Sequence, residues 1–125
     1  MSKIIIREQP IVKAGESVKF EMPFTVPNDE TYLVHGFGGA DINLGDNKST
    51  IFSMLFGKDG ANEKREIVDC IVATGNTSHS PKTFSIKGDG EKKLFILVKN
   101  YSGFDKQCPF WLEMQKVNIS PKKGK

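Results

Sequence analysis

Val18, Phe20, Met22, Phe24 and Val26 alternate with Ser17, Lys19, Glu21, Pro23 and Thr25. A period of two marks a strand with one buried and one wet face, because successive side chains leave a pleat on opposite sides. A helix would spread those apolar side chains around its circumference. Pro23 stands on the wet register and has no N–H to give to a ladder. It therefore marks an edge strand or a bulge, and a candidate interface position. Lys13-Ala14-Gly15-Glu16 before the run and Pro27-Asn28-Asp29-Glu30 after it are turn-like boundaries.

The same grammar recurs along the chain. Lys3 to Arg7, Thr31 to Phe37, Thr50 to Phe56, Thr83 to Ile86 and Lys92 to Lys99 read as strands, the last one central and buried on both faces. Phe110, Leu112 and Met114 alternate with Trp111, Glu113 and Gln115. Trp111 is thus either an outward interface anchor or a side chain buried on a strand packed on both sides. Glu66 to Ala73 is ambiguous in period: Ile67, Cys70 and Ile71 would line a helix, while Ile67, Val68, Ile71 and Val72 are β-branched and favour a strand. Gly36-Phe37-Gly38-Gly39 reads as a tight turn or bulge, Gly57-Lys58-Asp59-Gly60 as a hairpin turn, and Gly75 to Pro81 as a polar loop. Eight or nine short strands between Gly/Asp/Asn/Pro turns predict an all-β fold, an antiparallel two-sheet β-sandwich of jelly-roll type. One domain is expected over residues 1–119, with a short basic tail at 120–125.

Composition narrows the partners. The formal net charge is +3, but Lys122, Lys123 and Lys125 crowd the C-terminus, so the folded body is close to neutral. Nucleic-acid binding wants a basic face on the domain itself and is not expected. No stretch approaches the roughly 18 apolar residues of a membrane helix. The three isoleucines before Arg7 are too few for a signal-peptide core, so synthesis in the cytoplasm without export is expected. The Asn-x-Ser sequons at Asn47, Asn76, Asn100 and Asn118 then carry no weight. Cys70 and Cys108 have no zinc-site spacing and are expected to be buried free thiols.

No catalytic residue is assigned. His35 falls within a strand, His79 within Thr77-Ser78-His79-Ser80, and no Gly-x-Ser-x-Gly elbow exists. Two loops carry binding chemistry instead. Asp41, Asn43, Asp46 and Asn47 set oxygen ligands at near-alternate spacing, without the Gly and Glu placement of an EF-hand loop. Asn100, Tyr101 and Asp105 mix amide, carboxylate and ring, the kit by which a protein reads sugar hydroxyls and stacks on sugar faces.

Two stretches resemble small β-sandwich accessory proteins of tailed-phage virions (decoration, head-fibre and tail-associated modules). One is Phe24-Thr25-Val26-Pro27-Asn28-Asp29-Glu30-Thr31-Tyr32, and the other runs from Gly88-Asp89-Gly90 through Lys92-Lys93-Leu94 to Asn100. The resemblance implies a non-enzymatic structural module, present in copies in a larger particle and acting through protein contacts at its edges. Leu94 to Asp105 is also similar to the end of small calcium-dependent bacterial lectins, of whose calcium set Asn100 and Asp105 remain here. That second likeness implies glycan binding, with calcium as the cofactor and the two polar loops meeting at one end. Otherwise no cofactor and no metal are expected.

Overall fold

Each alternating or β-branched run contributes a strand to the structure, a computed structural model that describes residues 3–22, 25–41, 49–60 and 64–117. Eleven strands are formed among the described residues: β1 (Lys3–Glu8), β2 (Ile11–Val12), β3 (Ser17–Glu21), β4 (Thr31–Ala40), β5 (Thr50–Lys58), β6 (Arg65–Ala73), β7 (Thr77–His79), β8 (Phe84–Lys87), β9 (Lys92–Asn100), β10 (Lys106–Gln107) and β11 (Phe110–Val117). The first sheet has the order β1-β11-β4, with β7 and β8 sharing the far side of β4. The second has the order β3-β9-β5-β6, and β2 pairs with β10 as a small separate ribbon. Every pairing is antiparallel. The expected sandwich is therefore the fold. The strands beyond the expected eight or nine are β2, β7 and β10, each too short to show a period.

The alternating run behaves as its pattern dictates. Val18 and Phe20 are half-buried and Met22 and Val26 buried, all in one phase. β3 lies at the edge of its sheet, and the backbone stays beside β9 beyond the strand's end, through Met22 N–H to the Leu94 carbonyl and Val26 N–H to the Lys92 carbonyl. Pro23 itself lies outside the described residues. β9 is central, with Leu94, Phe95 and Ile96 buried in succession.

Two irregularities correct the sequence expectations. Gly36-Phe37-Gly38-Gly39 is no turn; it forms the body of β4. A bulge does sit beside it, where His35 is the extra residue between the pairs Val34↔Met114 and Gly36↔Glu113. In β6 the extra residue is Val68, between Met54↔Asp69 and Leu55↔Ile67. That insertion shifts the alternation by one and explains why Glu66 to Ala73 mimicked a helical period.

The core fills the space between the sheets. Phe110 of the first sheet meets Phe20 of the second edge-on at 5.2 Å and leans toward Phe52 at 6.5 Å. Phe52, Met54, Leu94, Val98, Leu112 and Met114 are buried around them. A cleft of about 20 Å³ remains between the β1 and β3 edges, lined by Ile6, Phe20, Met22 and Leu112 among others, with room for roughly one water.

One buried element is ionic. Lys106 Nζ lies 2.8 Å from Asp41 Oδ2, with the side chains 4% and 0% exposed. Asp41 follows β4, and its N–H donates to the Asn76 carbonyl. The pair therefore joins the end of the first sheet to the small ribbon. Removing one member strands a charge away from water, at a cost of about 3–5 kcal/mol. Lys106→Met is expected to lose about that much stability in urea denaturation, and adding Asp41→Leu to recover much of it. A single variant as stable as the parent would show that the pair does not hold the fold.

Candidate functional site

The segment carrying Asn100, Tyr101 and Asp105 lies beside Asp41 and Ser49. Tyr101 N–H donates to the Ser49 carbonyl, and the Asp41–Lys106 pair stands one residue beyond Asp105. Asn43, Asp46 and Asn47 lie outside the described residues. The side chains of Asp41, Asn100 and Asp105 are occupied by the fold. Asn100 is fully buried; its Nδ2 donates to the carbonyls of Val12 (2.9 Å) and Phe104 (2.7 Å). Its Oδ1 accepts from the Ser102 N–H and hydroxyl. Asp105 accepts the Ala14 N–H. These bonds pin the loop and leave Tyr101 and Phe104 outside, 51% and 59% exposed. Lys99 Nζ sits 5.4 Å from the Tyr101 ring centroid. Among the described residues no group of three or more His, Cys, Asp or Glu is placed to hold a metal ion.

A second surface emerges only from the strand register. On the outer face of the first sheet, Arg7 pairs with Trp111, Trp111 with Gly38, and Gly38 with His79. Four neighbouring strands thus set guanidinium, indole, glycine and imidazole in one row, about 14 Å long at ~4.8 Å per strand. The next outward row holds Ile5, Glu113 and Gly36. Gly38 makes the row what it is. A Cβ there would fall 2.0 Å from the Trp111 ring, so the indole lies across the bare backbone of β4. Trp111 is accordingly outward and half-buried, between the two placements its register allowed. Arg7 and His79 are exposed, and so is Ile5 at 51%.

The opposite sheet shows what such a face looks like when it is closed. Phe95 points outward from the centre of the second sheet, paired with Leu55 and Glu21. Yet it is fully buried, because Arg65 lies 4.3 Å and Lys19 5.3 Å from its ring centroid. Its ring surface is taken by the protein's own cations.

The nucleophile candidates are quiet. Burial pushes the Cys108 thiol pKa up, away from the reactive thiolate. Cys70 is exposed, against the expectation of two buried thiols, because it falls on the outward register of β6 beside Ser53. Ser78-His79-Ser80 belongs to strand β7 and its exit instead of a loop tip. Ser80 N–H bonds the Phe37 carbonyl, and its hydroxyl accepts the Lys82 N–H.

No family model matches the chain, and no curated protein matches it in sequence. Among solved structures, it is similar to a "Family 16 Carbohydrate Binding Module-2" at TM-score 0.47 and 12% identity, over 88% of this chain and 76% of that one. It is also similar to the N-terminal cellulose-binding domain of Cellulomonas fimi β-1,4-glucanase C, at TM-score 0.48 and 12% identity, over 88% of this chain and 78% of that one.

Electrostatics on the outer face are specific enough to test. Lys3 Nζ, 2.9 Å from Glu113 Oε2, holds that carboxyl below the ordinary carboxylate range, helped by His35 and Arg7. A lowered pKa means that the pair persists as pH falls past the usual range and is lost only as pH drops through the lowered value. Lys3→Met is expected to move the Glu113 midpoint upward in an NMR carboxyl titration. An unmoved midpoint would show that the ammonium is not its cause.

Proposed function

We propose that this chain is a non-catalytic binding module that holds a saccharide against the outer face of its first sheet, with Trp111 as the stacking surface. The observation that carries this is the row Arg7–Trp111–Gly38–His79. Sugar rings have an apolar face and an equatorial fringe of hydroxyls. An indole laid on a sheet, with donors on either side, complements both. Placing the indole over glycine fixes it on a rigid element, so little ordering remains to be done on binding. The aromatic loop at Tyr101 and Phe104 is the weaker candidate, because the Asn100 amide that would read hydroxyls is spent inside the loop.

Affinity electrophoresis through gels containing soluble polysaccharides tests the proposal. At least one polymer is expected to retard the parent protein, and Trp111→Ala to weaken that retardation about tenfold or more. Gly38→Ala, which keeps the indole but forces it off the strand, is expected to weaken it as well. Circular dichroism melts establish that each variant is folded. Equal retardation of parent and Trp111→Ala, or none by any polymer, would overturn the assignment.

A further inference from the structure

We propose, building on the saccharide reading of the same face, that the preferred ligand is an acidic saccharide whose carboxylate or sulfate pairs with Arg7 while Trp111 takes the ring. Three observations lead there. First, Arg7 is the cation next to the indole in the row; among the described residues it makes no hydrogen bond and no close ion pair, and it reaches Glu113 only as a more distant charge. The carboxylate on the neighbouring row, Glu113, is held at 2.9 Å by Lys3 and lies 3.9 Å from His35. A guanidinium is built for two-point pairing with a planar carboxylate or with two oxygens of a sulfate.

Second, among the described strand residues the outward register of this sheet carries Lys3, Arg7 and Lys87 against the one carboxylate of Glu113. Its field draws anions although the folded body as a whole is near neutral. Third, the cations of the opposite face are already engaged. Arg65 and Lys19 cover Phe95, and Arg65 also meets Asp59 at 3.6 Å. Lys93 pairs with Glu21 at 3.0 Å, and Lys99 donates to the Gly15 carbonyl. Among the described residues, a cation without a close partner and an outward, half-buried ring coincide at Arg7 and Trp111.

The test pairs polymers that share a backbone and differ in charge. They are polygalacturonate against its fully methyl-esterified form and dextran sulfate against dextran, with an oligo-dT strand alongside, all titrated calorimetrically into the full chain. At least one acidic member is expected to bind about tenfold or more tightly than its neutral partner, and to weaken as salt is raised. Arg7→Ala should bring its affinity down to the neutral level, and Arg7→Lys should keep the salt dependence while losing part of the affinity. Lys19→Ala, on the opposite sheet, should change nothing. The proposal fails if the neutral member binds as well, if Lys19→Ala acts like Arg7→Ala, or if oligo-dT binds more tightly than every acidic polymer. Where neutral polymers bind and Trp111→Ala still abolishes that binding, the acidic preference falls alone; where no polymer binds, both fall.

Discussion

Two consecutive glycines in β4 set the thickness of the molecule and the character of its surface. Gly39 faces inward, where a Cβ would come within 2.7 Å of the Phe52 ring, so the second sheet presses an aromatic side chain onto the backbone of the first. Gly38 faces outward and carries the Trp111 indole in the same manner. Any side chain at Gly39 would push the sheets apart or eject Phe52 from the core. Side chains larger than hydrogen at both positions would turn a strand that is flat on each side into one that is ridged on each side. Core closure and the outer platform are thus two faces of one constraint.

That constraint explains what was legible in the sequence and what was not. Strands with clean alternation, Ser17 to Val26 and Phe110 to Gln115, declared their inward faces; among the described residues Met22, Val26, Phe110, Leu112 and Met114 are buried there and Val18 and Phe20 half-buried. Where an extra residue slips the phase, at Val68, the same rule gave an ambiguous answer, because a bulge has no sequence mark of its own. The glycine cluster misled for a related reason. Glycine signals turns because it tolerates unusual backbone angles, but in β4 it is there for lack of a side chain. Trp111 was visible as an aromatic on the register opposite the core, with its burial left open between two placements. Its neighbours Arg7 and His79 were not, since they come from strands about a hundred and about thirty positions away from it, respectively, and only register unites them.

The stretches that resemble virion accessory proteins turn out to be one structural unit. Gly88 N–H bonds the Glu30 carbonyl and Gly90 N–H the Val26 carbonyl. A Cβ on Gly88 would strike the Pro27 carbonyl at 2.2 Å. Asp89 then closes its own turn by accepting the N–H groups of Glu91 and Lys92. Two turns that must interlock at one end of a sandwich constrain Val-Pro and Gly-Asp-Gly whatever the molecule meets. The contact between them gives both turns a structural role within the fold. Asn100 teaches the same lesson on the opposite side of the function question: the amide that suggested ligand recognition is the one that ties its loop to Val12.

The place of β11 between β1 and β4 also bears on the order of assembly. All four strands of the second sheet are complete once the chain has reached Asn100. The first sheet has to wait for Phe110–Val117, because β1 and β4 meet only through that strand. On a ribosome, β1 therefore stays unpaired until β11 has been made. Trp111 sits in that strand, so among the described strands the face it builds closes after the opposite sheet is complete.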